Sequence, residues 1–189
     1  EDISMMRAIP NLQILSPADG ASAAKLFHVA LASENPVYIR LTGNLNCPIA
    51  YKEDAPFVFG GSNKLREGDD VAIFACGTMV STALTAAKQL SEQGIEASVV
   101  DMYSIKPLDK EAINAAKGNK LIVTIEEHSK MGGLGAAVAE VMCEDTGFPR
   151  LLRLGIADFF DLAGDYDGLL SQNRLTAFQI AEDIQNALR

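Results

Sequence analysis

The sequence is poor in the residues that usually announce a site. Three cysteines (Cys47, Cys76 and Cys143) and two histidines (His28 and His128) are all that 189 residues provide. The cysteines stand far apart with no CxxC pair. They fit neither a disulfide framework nor a zinc centre, and a reducing cytoplasm is the expected setting. None has a basic neighbour in sequence that would mark a reactive thiolate. No apolar run approaches the roughly 18–20 residues of a membrane span, and no basic-then-apolar leader opens the chain. Basic residues are outnumbered, 16 against 25 acidic ones, for a formal charge of −9. That balance argues against nucleic acid or an anionic membrane as partner, while leaving room for a local basic pocket that holds a phosphate. The sequence also lacks GxxxxGK[ST], HExxH and GxSxG motifs.

What is present is ordinary globular composition, 48% apolar and 22% charged, in a length that suits one or two domains. The chain opens at Glu1 without an initiator Met, with a helix-like stretch already under way from Ile3 to Ala8. This reads as a fragment, with Met5, Met6 and Ile9 as core filler. Leu12–Leu15 is a short apolar strand, and Asp19 offers an N-cap to an Ala-rich helix over 21–32. Ala24, Phe27, His28 and Leu31 share one face of that helix, where a packing histidine is expected. Pro36 stops the helix, and Val37–Leu41 reads as the next strand. One βαβ unit cannot bury both faces of its sheet, so residues 1–42 read as the end of a larger domain.

Residues 43–68, with four glycines and two prolines, read as a linker whose Tyr51, Phe57, Val58 and Phe59 lie against a surface. Residues 69–189 repeat the alternation as a domain of their own. Strands are expected at 71–75, 96–101, 121–125 and 151–154, and helices at 79–92, 107–116, 134–144 and 176–188. Continuously apolar strands separated by helices predict a three-layer, mostly parallel α/β sheet.

Four constellations could carry chemistry. Met131-Gly-Gly-Leu-Gly135 comes near a dinucleotide fingerprint, with Asp158 about twenty residues on. Val138 stands where the third glycine belongs, and four residues separate the strand from the turn, so a sharp turn with close helix–sheet packing is preferred. Glu126-Glu127-His128 ends a strand, where α/β ligand sites form. Neighbouring carboxylates would favour charged imidazole there, unless these residues simply cap nearby loops. Asp101 and Asp109 bracket Ser104–Pro107 and read as caps and turn formers. Arg40 has apolar strand neighbours in Val37, Ile39 and Leu41, so its guanidinium emerges near a sheet's carboxyl edge. There it either grips a carboxylate or phosphate or forms an ordinary ion pair with a nearby acid.

Taken in order, Glu1-Asp-Ile-x-Met-Met-Arg-Ala-Ile-Pro-Asn11, Ser16-Pro-Ala-Asp19 and Pro36-Val-Tyr-Ile-Arg40 resemble the end of a transketolase pyrimidine-binding domain. Leu65–Asp70, Gly77-Thr78, Asp101-Met102, Ile105–Asp109, Glu126-Glu-His128 and Gly132-Gly-Leu-Gly135 resemble the transketolase C-terminal domain. The resemblance implies part of a thiamine-diphosphate enzyme, with Mg²⁺, that moves a two-carbon ketol unit between sugar phosphates. It also implies a homodimer or pairing with a large subunit. Arg40 matches the family's phosphate-gripping arginine, the one substrate contact that carries over. His128 falls in what resembles a scaffold and dimer-contact module. The activating glutamate, the ring-stacking aromatics and the metal site have no counterpart in these residues, so the chain alone is expected to bind no cofactor and be inactive. Deoxyxylulose-phosphate synthase and the β subunit of a 2-oxo-acid dehydrogenase share the pattern, and a non-catalytic assembly module is the alternative from another class.

Overall fold

The computed structural model describes residues 1–42, 47–51 and 54–189. Residues 43–46 and 52–53, part of the stretch read as a linker, lie outside them. The elements are α1 (Asp2–Arg7), β1 (Gln13–Leu15), α2 (Gly20–Leu31), β2 (Val37–Ile39), β3 (Asn63–Arg66), β4 (Val71–Ala75), α3 (Met79–Ser91), β5 (Ala97–Asp101), β6 (Ser104–Lys106), α4 (Lys110–Ala115), β7 (Leu121–Ser129), α5 (Leu134–Cys143), β8 (Arg150–Ile156), α6 (Tyr166–Gln172) and α7 (Ala177–Leu188).

The main sheet runs β3-β5-β4-β7-β8, parallel except for β3, which joins β5 antiparallel at one edge. Alternation along the strands sorts the core. Val71, Ile73, Ala75, Val99 and Val123 face α3 and α7, whereas Ala72, Phe74, Val100 and Ile122 face α4 and α5. Three layers result, as the apolar strands predict.

A second, small sheet runs β2-β1-β6. β1 pairs parallel with β2, completing the expected βαβ unit, and antiparallel with β6 from the later part of the chain. Ile3 and Ile14, both fully buried, enter the core on the α4–α5 face. At about 1.5–3 kcal/mol for each such side chain, this burial fastens residues 1–42 to the larger sheet. Lys106 adds to the join by donating from Nζ to the carbonyls of Arg7 (2.9 Å) and Ile9 (2.6 Å). β3 and β6 have no counterpart among the expected strands: at four and three residues, with a single apolar residue each, both are too short to show a period.

Three packing expectations are overturned. The Ala24–Phe27–His28–Leu31 face of α2 points outward, with Phe27 54% and Leu31 67% exposed, and His28 is exposed beside Phe27. Ser22 and Leu26 form the buried side, where Leu26 packs with Leu15, Phe57 and Tyr103, and Asp19 starts the helix with a capping box to Ser22. Met5 and Ile9 are likewise exposed, and only Met6 of that trio packs partly against the core.

Candidate functional site

In an open parallel sheet, the crevice at the carboxyl ends of strands whose following helices cover opposite faces is where ligands usually bind. Here that point lies between β4 and β7: α3 follows β4 onto one face and α5 follows β7 onto the other. Thr78 and Glu127 stand on its two sides. Thr78 Oγ1 and Tyr166 Oη each donate to Glu127 Oε2 at 2.7 Å, so α6 is tied to the crevice through Tyr166. Burial and the adjoining carboxylate push the Tyr166 phenol up to about 12.

Arg40 reaches the same place from the end of β2. Its Nη2 donates to the Glu127 carbonyl at 3.1 Å, and its Nε donates to Asp2 Oδ2 at 2.9 Å and Oδ1 at 3.1 Å. Tyr38 Oη donates to the same Asp2 carboxylate at 2.8 Å. Burial raises the Asp2 carboxyl, but the Tyr38 hydrogen bond and the Arg40 charge outweigh it and hold the group below the usual carboxylate range. The sheet-edge position expected of Arg40 is therefore present, and so is the acidic partner. The guanidinium side chain remains 26% exposed.

The glycine turn is filled by the chain itself. Glu126, in the last half of β7, accepts from the backbone N–H groups of Leu134 (2.7 Å) and Gly135 (2.8 Å), the first turn of α5. A Cβ on Gly133 would lie 1.9 Å from Glu126 Oε2, and one on Gly135 would lie 2.7 Å from Thr124 Oγ1. The glycines admit a carboxylate where a dinucleotide fold would admit pyrophosphate, so the fingerprint reading, Asp158 included, gives way to the sharp turn. Burial outweighs these two hydrogen bonds and pushes the Glu126 carboxyl up to about 7.

His128 is buried among these groups. Its Nδ1 donates to the Ser129 carbonyl at 2.7 Å. Nε2 has no hydrogen-bond partner and sits 3.8 Å from Asp2 Oδ1. Burial dominates and lowers the pKa, so the neutral imidazole is favoured, contrary to the charged form expected from its neighbours in sequence. The loop-capping reading of Glu126 is the observed one. Asp109 is the N-cap of α4, as expected, accepting from Ala112 N–H at 3.0 Å. Asp101 is no cap: it is a fully buried strand-end carboxyl bound by Tyr51 Oη at 2.6 Å.

Sequence reading missed Asp2, Thr78 and Tyr166. Asp2 and Thr78 stand inside the runs Glu1–Asn11 and Gly77-Thr78 but were given no role there; Asp2 lies 38 residues from Arg40, and Tyr166, outside every such run, lies 39 from Glu127. Among the described residues no group of three or more His, Cys, Asp or Glu is arranged to hold a metal ion. With Glu126 filling the glycine turn, these residues do not fit a magnesium–diphosphate site. No helix among them is long and apolar enough to cross a membrane.

Comparison with known proteins gives a consistent outcome. The family described as transketolase, pyrimidine binding domain, matches residues 1–48, and that described as transketolase, C-terminal domain, matches residues 60–180. A putative transketolase C-terminal section of Methanocaldococcus jannaschii is 39% identical over 100% of this chain and 60% of its own length. A 6-deoxy-6-sulfo-D-fructose transketolase subunit of Clostridium sp. is 41% identical over 95% of this chain and 56% of its own. A solved split-gene transketolase, described as an inactive beta4 tetramer, superposes with a TM-score of 0.90 at 40% identity, covering 100% of this chain and 60% of that one. The Campylobacter jejuni transketolase, at 19% identity and a TM-score of 0.72, shares the fold. The chain thus spans somewhat over half the length of these split-type relatives. With both domain patterns present in order along it, the chain belongs to the transketolase family.

Proposed function

We propose that the chain is part of a thiamine-diphosphate-dependent transketolase that transfers a two-carbon ketol unit between sugar phosphates. Residues 1–42 would close its pyrimidine-binding domain, 43–68 would link, and 69–189 would form its C-terminal domain. The observation that carries this reading is the ordered pair of domain matches, 1–48 then 60–180, together with relatives named as transketolase subunits. Because the described donors do not fit a magnesium–diphosphate site, the cofactor and Mg²⁺ would be held by groups outside them, on a large subunit or further sequence. By itself the chain is proposed to assemble without catalysing ketol transfer, a reading supported by its 40% identity to a split-gene transketolase tetramer that is inactive. The test is ketol transfer from a ketose phosphate with thiamine diphosphate and Mg²⁺, with and without a complementing large subunit. Activity only in the complemented mixture supports the reading, and none under any complementation refutes it. A deoxyxylulose-phosphate synthase, 35% identical over the whole chain in Mannheimia succiniciproducens, supplies the second reading. It is separated by the use of pyruvate as donor.

Arg40 is proposed as a contact for the substrate phosphate in the assembled enzyme, resting on its sheet-edge position and partial exposure. A specific observation favours a second role: Nε and Nη2 already bind Asp2 and the Glu127 carbonyl, which makes Arg40 a strut between the two sheets. Arg40→Lys separates the two. A phosphate contact raises KM for phosphorylated donors by about tenfold or more while sparing unphosphorylated ones. A strut lowers thermal stability and affects both donors alike.

A further inference from the structure

The buried carboxyl of Asp101 has no part in the proposed reaction, and its surroundings are unusual. It ends β5 with no exposed surface. Asn63 is its cross-strand partner on β3, Cys76 follows the paired residue Ala75 of β4, and Tyr103 lies two residues beyond it, past the end of β5. Asp19 approaches from the start of α2, and Tyr51 from the segment 47–51. Among the described residues, the one charged group acting on Asp101 is Asp19, of its own sign. Cys76 is itself pushed up by burial and by nearby carboxylates, and so is the Tyr51 phenol.

The hydrogen-bond geometry bears on the protonation state. Asp101 Oδ2 is 2.6 Å from Tyr51 Oη, which also accepts from Asn63 Nδ2 at 3.1 Å. Asp101 Oδ1 is buried with no partner. An ionised carboxylate here would carry a bare charge into the interior with one hydrogen bond and a like-charged neighbour. The neutral acid leaves at most one hydroxyl hydrogen unpaired, which is much the smaller cost. Burial correspondingly moves the Asp101 carboxyl to about 8.

We infer that Asp101 keeps its proton in the folded chain at neutral pH and acts as a proton-dependent clasp that holds residues 47–51 on the carboxyl edge of the sheet. Besides Asp101 and the Asn63 bond to Tyr51 Oη, the segment is held at two further places. Ala50 and Tyr51 donate their N–H groups to Asp19 Oδ2 at 2.9 and 3.0 Å, and the Cys47 thiol donates to the Ala18 carbonyl at 3.2 Å. When Asp101 loses its proton, its charge faces Asp19, the acceptor for those two N–H groups, and hydration of the new carboxylate requires Tyr51 to move aside. Alkalinisation therefore loosens the segment as a unit, independently of which reaction the enzyme performs.

Infrared spectroscopy and hydrogen exchange on the full chain test this. The carboxylic-acid C=O band that distinguishes wild type from Asp101→Asn should be present at about pH 6.5 and gone by about pH 9.5. Over pH 7 to 9.5, exchange in residues 47–51, corrected for intrinsic rate, should accelerate at least tenfold in wild type and stay level in Asp101→Asn. Absence of the band at pH 6.5, or the same acceleration in the variant, overturns the inference. If Asp101→Asn does not fold, Tyr51→Phe decides instead. Losing the Tyr51 hydrogen bond shifts the band if the clasp is as inferred, and an unmoved band overturns it.

Discussion

At Gly133 one added carbon meets a carboxylate oxygen at 1.9 Å, so the residue's smallness is a packing requirement for Glu126 rather than a ligand requirement. Gly133→Ala should cost roughly 1–3 kcal/mol, read as a lowered urea midpoint with unchanged slope. Glu126 and Asp101 also set a pH dependence. Their folded pKa values, about 7 and about 8, lie above the ordinary carboxylate range near 4 that holds in the unfolded chain. Between those limits the folded chain binds more protons, so their contribution to stability is full below about pH 4 and is lost as pH rises through 7 to 8. Asp2 and Asp19 are held below their usual range and contribute in the opposite sense, losing stability as the medium is acidified through their depressed values. Maximal stability should therefore fall on the acidic side of neutral, as thermal melts across pH 4–9 would show. Asp101→Asn should flatten the alkaline limb.

At the scale of elements, two anchors stand out. Asp19 caps α2 and also receives the N–H groups of Ala50 and Tyr51, so Asp19→Ala removes more than a cap. About 1 kcal/mol is expected for the cap alone, and a larger loss in chemical denaturation would measure the added bonds. α6 buries no residue of its own, and Tyr166 ties it to Glu127. Tyr166→Phe should cost roughly 0.5–1.5 kcal/mol and raise hydrogen exchange in 166–172 while leaving the β4–β7 pair protected. The long elements were legible because their apolar period is sustained, as in β4, β7, α3 and α7. β3 and β6 were not, since three- or four-residue strands with lysine and serine carry no period and exist through their partners.

For the whole molecule, the two parts of the chain share one core. Residues 60–189 alone would lose Ile3, Ile14 and the β1 partner of β6. Such a truncation should melt at a lower temperature and bind an apolar dye at the α4–α5 face, where an independent domain would melt unchanged. The residues carrying the family pattern were readable in order along the chain because each motif is local. Arg40's place at a sheet edge was readable too, from the apolar strand before it.

By itself the sequence determined the layered α/β class, the position of most strands and helices, and membership of a family, because periodicity, capping residues and short motifs act over a few residues. The tertiary structure alone decided which face of α2 is buried, that Glu126 fills the glycine turn, that burial favours the neutral form of His128, and that Arg40 meets Asp2 and Glu127. These outcomes turn on packing that brings separated groups together, from Glu126 and α5 eight and nine residues apart to Arg40 with Asp2 and Glu127 across 38 and 87, where burial and hydrogen bonding outweigh what a neighbour in sequence imposes.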